Sequence, residues 1–284
     1  MATTVTCFCG KTFPAPGDMS GDYVYCPRCG GVVYVPYPLP TSQVRHHAPG
    51  GLGCLLKGLG VLVVLFLLAA LLLPSLGDAR PAARRAQCVN NLKQMALAMH
   101  NYHANHGCFP PAATYDRAGQ PLLSWRVLIL PYVECEDLYQ QFHLDEPWNS
   151  PHNGALLSQR PNVFWCPSEP GLPRDRTTYQ VVVGPHTMFP ARGPGVRLAD
   201  VTDGTSKTIT VVESTRTVPW SAPGDIPAIL GVPGMGLGSH HPGGFNAGFA
   251  DGSIKFIKQQ WTPPRVIEAL LTRDGHETIS SDEF

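Results

Sequence analysis

Residues 80–111 read "RPAARRAQCVNNLKQMALAMHNYHANHGCFPP". Cys88, Leu92, Met95, Met99 and Tyr102 recur at intervals of three and four, which puts them on one face of a helix. Asn91, Gln94, Ala98 and Asn101 fall on a second face, and Gly107 with Pro110-Pro111 ends the pattern. The stripe predicts an amphipathic helix packed on a core. Immediately upstream, Leu59 to Leu73 are fifteen residues without a charge. Extending back to Leu52 gives twenty-two with only Lys57 among them, roughly 33 Å of helix. With Lys57 snorkelling to headgroups, this length predicts a transmembrane helix over residues 52–76, with a kink or stop at Pro74.

The rest of the chain frames that helix. The 21 basic and 21 acidic residues cancel, so bulk charge gives no reason to expect nucleic acid as a partner. Gly and Pro number 29 each, which predicts many turns and irregular connections. A hydrophobic content of 43 % argues for a packed core rather than disorder.

Four of the nine cysteines lie in the first 29 residues, as Cys7-x-Cys9-Gly and Cys26-Pro-Arg-Cys29-Gly, sixteen residues apart. Two tight turns that each supply two thiolates suit tetrahedral zinc, and Gly10 and Gly30 let the backbone turn its amides toward sulfur. Residues 1–35 therefore read as a zinc-ribbon-like module with Cys7, Cys9, Cys26 and Cys29 as ligands. So short a segment builds little core, so the metal would hold it folded. Residues 36–51, "PYPLPTSQVRHHAPGG", carry four prolines and no apolar period, and read as a semi-rigid linker.

Beyond the helix, Asp251-Gly252 stands between alternating Phe245, Ala247, Phe249 and Ile254, Phe256, the pattern of a tight hairpin. Asp203-Gly204 reads as a turn into a central strand, "TITVVES". Asp200, Asp203, Glu213, Asp225, His240, His241 and Asp251 supply oxygen and imidazole donors. Asp203, His241 and Asp251 are the candidate second site, with calcium as its ion. The simpler expectation is a His241 hydrogen-bonded to the hairpin backbone. No nucleophile elbow, His-Glu-x-x-His or Walker sequence occurs, so a membrane-tethered hydrolase ranks last among the functions considered. Trp125, Trp148, Trp165 and Trp220 read as packing residues. The spacing of Cys88, Cys108, Cys135 and Cys166 leaves both bridges and free thiols open.

The stretch "LLLPSLGDARPAARRAQCVNNLKQMALAMHNYHANHGCFPPA" is similar to the start of the domain of unknown function 1559 family, pilin-like proteins abundant in planctomycetes. In the family's order follow "SWRVLILPYVECEDLYQQFHLDEPWNSPHN", "VFWCPSE", "VTDGTSKTITVVES", "VPWSAPGDI", "HHPGGFNAGFADGSIKFI" and "TRDGHETISSDEF". The last but one contains the His-x9-Asp-Gly signature, His241 to Asp251. The resemblance covers roughly residues 70–284. It implies an α+β fold in which a long N-terminal helix, half transmembrane and half amphipathic, packs on an antiparallel sheet, with the pilin-like domain occupying 77–284. It also implies a non-enzymatic, membrane-anchored structural or interaction protein of the cell envelope. A sensor that captures calcium or a glycan is the alternative. Protein partners are left unidentified.

The chain departs from the family at "GGLGCLLKGLGVLVV", which lacks the Gly-Phe-Thr-Leu and glutamate of a prepilin processing site. Arg80, Arg84, Arg85 and Lys93 after the span outnumber Arg45 and Lys57 before it, which favours a cytoplasmic C-terminal side. Reduced zinc thiolates favour the opposite. The resemblance decides for an inner-membrane protein with a cytoplasmic N-terminus and an extracytoplasmic C-terminal domain.

Overall fold

The computed structural model describes residues 4–16, 21–37, 51–228 and 236–284, without the side chains of 51–58, 65, 67–79 and 281. Most of the expected linker, 38–50, lies outside the described residues. The chain divides into two compact units, Met1–Leu67 and Leu68–Phe284.

The first unit holds two antiparallel hairpins. Strands β1 (Thr4–Thr6) and β2 (Thr12–Pro14) pair with Val5 opposite Phe13, and β3 (Tyr23–Tyr25) and β4 (Val32–Tyr34) pair with Val24 opposite Val33. Alternation turns Val5 and Val24 inward, where they meet Ala15 and Val35. Those four side chains are the buried hydrophobic cluster of this module, with Phe13 and Val33 partly covering it. Four small residues cannot offset the ordering of some thirty, so the hairpins need a further constraint.

Helix α1 runs over Gly51–His106. Its C-terminal half behaves as the stripe predicts: Cys88, Leu92, Met95 and Met99 are fully buried, and Tyr102 is half-buried. Burial of Leu92, Met95 and Met99 contributes about 2 kcal/mol each. The second face is mixed. Gln94 and Asn101 are exposed, but Ala98 and Asn91 are buried. Asn91 is tolerated there because its amide donates to the Trp165 carbonyl at 2.8 Å and to the Tyr179 hydroxyl at 3.3 Å. In the N-terminal half, Leu59, Val61, Leu62, Val63, Val64 and Phe66 are exposed. Among the described residues, no helix is long and apolar enough to cross a membrane. The expected span 52–76 is helical, but most of its side chains lie outside the described residues.

The second unit is mixed α/β, built on a five-stranded sheet in which Ile254–Ile257, Phe245–Phe249, Ile209–Pro219, Arg176–Val183 and Ile226–Pro227 lie side by side in that order. Its strands are β7 (Arg176–Val183), β8 (Ile209–Pro219), β9 (Ile226–Pro227), β10 (Phe245–Phe249) and β11 (Ile254–Ile257). A separate hairpin joins β5 (Ala113–Tyr115) to β6 (Pro121–Ser124). The expectation of an antiparallel sheet needs one correction, because β9 pairs parallel to β7, with Val182 opposite Ile226. Asp225, just before β9, accepts the Val181 amide proton at 3.0 Å and fixes that crossover at the sheet edge.

Both faces of the sheet are covered. On one, the α1 stripe meets Tyr179, Val181 and Val211 together with Trp125, Phe164 and Trp220. On the other, Val182, Val212, Phe245, Ala247 and Phe249 pack on Val266, Ile267 and Leu270 of the C-terminal helix Pro264–Leu271. Strand β8 is central, as its sequence predicts, and β10 and β11 form the expected hairpin with Phe245 opposite Ile257. Gly252 takes φ +85° in its turn, where the Asp251 carboxylate accepts the Ser253 amide at 2.9 Å.

Candidate functional site

Two groups of metal-competent side chains occur among the described residues, one in each unit. In the first unit the paired turns bring Cys7, Cys9, Cys26 and Cys29 together, with all sulfurs within 4.8 Å of one another. Each turn closes through a glycine in the left-handed region. Gly10 donates to the Cys7 carbonyl and Gly30 to the Cys26 carbonyl, both at 2.9 Å. The Cys7 and Cys29 sulfurs lie 3.5 Å apart, and those of Cys9 and Cys26 3.7 Å. Tetrahedral zinc with bonds of about 2.3 Å needs ligand sulfurs about 3.8 Å apart. Gly31 completes the cradle, since a Cβ there would stand 3.4 Å from the Cys29 sulfur and 3.7 Å from that of Cys7. Burial raises the Cys26 thiol, but hydrogen bonds from the Arg28 and Cys29 amides and from Cys9 and Cys7 outweigh it and bring it to about 6. The cluster can hold a metal ion and is compatible with zinc.

The second group is Cys88, Cys166, Glu213 and His241, and all four are buried. Helix α1 supplies Cys88 from its core stripe. A tight turn, in which Glu169 N–H donates to the Cys166 carbonyl at 3.0 Å, presents Cys166. Glu213 lies in β8 opposite Tyr179 of β7. The two sulfurs are 2.8 Å apart.

His241 Nε2 lies 3.2 Å from Glu213 Oε1, with both side chains almost fully buried. Glu213 Oε2 accepts the Asn246 backbone amide at 2.8 Å and its side-chain amide at 3.0 Å. Both carboxylate oxygens are therefore partnered, as a buried charge requires. The other imidazole nitrogen, Nδ1, faces Ser168 Oγ at 3.5 Å. Burial disfavours a charged His241, but contacts with Cys88 and Glu213 prevail and carry it up to about 9. Contact with Cys166 draws the Cys88 thiol down, against burial and with help from His241 and Tyr179. The same contact pushes Cys166 up.

His241 reaches this place through the turn before β10. Its amide donates to Ser239 Oγ at 3.0 Å, and that hydroxyl donates to the Gly244 carbonyl at 2.7 Å. Gly243 takes φ +87°, while a Cβ on Gly244 would stand 1.9 Å from the Ile257 carbonyl oxygen.

The candidate second site resolves differently. Asp203, His241 and Asp251 do not form a group with ligand atoms within 4.8 Å of one another among the described residues. The Asp203 carboxylate accepts the Gly275 and His276 amides at 2.7 and 2.8 Å, and Asp251 turns onto Ser253. Of the wider acidic set, Asp200 pairs with Arg197 and His240 with Glu169. Asp225 pairs with the fully buried Arg126 at 2.5 Å and also accepts from Trp125 Nε1 at 3.3 Å. The His241 ring contacts Glu213 rather than the hairpin backbone. Two signals for the buried group stand in the sequence. Cys88 lies on the same stripe as Leu92, and Glu213 follows the apolar pair Val211-Val212 within strand Ile209–Pro219.

The family described as Protein of unknown function (DUF1559), SBP_bac_10, matches residues 77–232. The chain belongs to this family. No curated protein and no solved structure matches it. Cys88, Cys166 and Glu213 of this DUF1559 chain lie within the matched residues, whereas His241 follows them and the Cys7 to Cys29 module precedes them.

Proposed function

We propose that this chain is a non-enzymatic, single-pass membrane protein of the cell envelope, pilin-like in build, with a zinc-binding head on the cytoplasmic side. The observation that carries the reading is the division of α1. Its C-terminal half buries a stripe against the sheet, while Leu59, Leu62 and Phe66 in its N-terminal half stand exposed. An exposed apolar face of this kind calls for a cover, and the uncharged run Leu59–Leu73 suits a bilayer. The zinc-ribbon reading of the head draws support from the spacing of its four sulfurs. A head that stays attached, with no processing sequence after it, suits a static anchor better than a subunit drawn into a filament.

Reporter fusions at residue 45 and at the C-terminus test the topology. A cytoplasmic residue 45 with an external C-terminus is expected. A cytoplasmic C-terminus, or release of the protein from membranes by alkaline carbonate, would remove the reading.

A further inference from the structure

We infer that Cys88 and Cys166 are a disulfide-forming pair that locks α1 to the turn preceding the central strands, with His241 held beside them by Glu213 as a positioning residue. The geometry of the two cysteine sets separates their chemistry. The N-terminal sulfurs stand 3.5 and 3.7 Å apart, close to the edge of a zinc tetrahedron. Cys88 and Cys166 stand at 2.8 Å. Joint ligation of one zinc would need them about 1 Å farther apart, and a disulfide would need them under 1 Å closer.

Parting them would disturb a packed region. Cys88 is wholly buried and shares a core cluster with Leu92 and Tyr179. Asn91, one helical turn on, holds the Trp165 carbonyl next to Cys166 at 2.8 Å. The helix register and the turn are thus held by contacts other than the bond itself. Glu213 is already satisfied by His241 and Asn246, so it needs no cation.

The reaction is thiol–disulfide exchange with a disulfide oxidant, either a small molecule or an exchange protein. The Cys88 thiolate attacks one sulfur of the oxidant, and the first oxidant thiolate leaves. Cys166 loses its proton to that thiolate and attacks the Cys88 sulfur, breaking the mixed disulfide, and the second oxidant thiolate leaves and takes up the proton that Cys88 gave up on forming its thiolate. Two cysteine thiols are oxidised and one oxidant disulfide is reduced to two thiols. Because both sulfurs are buried, exchange takes place during folding or local opening, and the finished bond is shielded. His241, protonated beside Cys88, stabilises the attacking thiolate. The inference uses the proposed topology only for the compartment in which the oxidant is met.

The test uses the full-length protein in detergent, refolded with zinc in an oxidised and reduced glutathione buffer, then blocked with iodoacetamide and mapped by mass spectrometry without reduction. A peptide pair linked through Cys88 and Cys166, with Cys108 and Cys135 alkylated, is expected. Reductant should lower the melting temperature of the wild type but not of a Cys88→Ala/Cys166→Ala variant, and His241→Gln should slow bond formation at neutral pH, measured by quenched alkylation. Alkylation of both Cys88 and Cys166, linkage to other partners, or a second equivalent of zinc lost in the double variant would overturn the inference. These outcomes are independent of the reporter fusions, so a linked pair with a cytoplasmic C-terminus would sink the topology and leave the pair intact.

Discussion

The N-terminal module and the sheet domain each gather cysteines, yet they do so from opposite physical starting points. In the module the buried apolar cluster is Val5, Ala15, Val24 and Val35, and the four sulfurs are the convergence point of both hairpins. In the sheet domain a core of Trp125, Phe164, Tyr179 and Trp220 is already complete, and Cys88 and Cys166 are two of its members. On the proposed readings, the small module would need its cysteines in order to fold, whereas the large domain would use its pair to tighten a fold it already has. Sulfur spacing follows that division: separations of 3.5 and 3.7 Å, near those of a zinc tetrahedron, in one, and 2.8 Å in the other.

The largest effect expected from breaking this contrast is in the module. Chelation, or Cys26→Ser, should remove a contribution on the order of 10 kcal/mol and leave Thr4–Thr6 and Tyr23–Tyr25 without hydrogen-exchange protection. The sheet domain should keep its melting temperature under the same treatment. Retained protection in the module would place its stability elsewhere. Reducing the inferred Cys88–Cys166 bond would free a loop whose ends are 78 residues apart, for which chain entropy gives about 4.5 kcal/mol. Denaturant unfolding of the sheet domain should show it, with the module unaffected.

Next in size is the ion pair behind the sulfurs. Glu213→Ala leaves His241 and Asn246 without their acceptor and should cost about 3 to 5 kcal/mol. Urea titration of that variant, in the reduced and oxidised states, measures how far pair and disulfide support one another. A pH series gives a smaller effect. In the reduced protein His241 is raised from 6.5 to about 9, so the folded state binds its proton more tightly than the unfolded state does. The stabilisation, on the order of 3 kcal/mol, is full below pH 6.5 and is lost as pH rises through 9. Oxidation removes the thiolate partner and should flatten the slope. The smallest effect is Gly252→Ala in the β10-β11 turn, about 1 kcal/mol from its φ of +85°.

Local patterns were readable in the sequence where a single element carries the signal. The stripe from Cys88 to Met99 predicts its own burial, the Asp251-Gly252 turn predicts its hairpin, and the two cysteine pairs predict their convergence. What escaped depends on tertiary approach. Cys88, Cys166, Glu213 and His241 come from a helix, a turn, a central strand and a loop, and no periodicity links them. The nine residues from His241 to Asp251 describe the hairpin, whereas Glu213, which the His241 ring meets, belongs to the neighbouring strand β8. Arg126 is similar. A charge inside the apolar run Trp125–Leu130 marks a buried ion pair, but only the fold names Asp225 as its counterpart.

The two glycines after His241 meet unrelated requirements. Position 243 disfavours an L side chain because of its dihedral angle, φ +87°, which a D-residue would satisfy. Position 244 excludes one for want of volume, since the Ile257 carbonyl oxygen occupies the space a Cβ would take. One constraint concerns handedness and the other concerns room. The two constraints are separate, and the one at position 244 ties the approach of His241 to Glu213 to the edge strand β11 through Ile257.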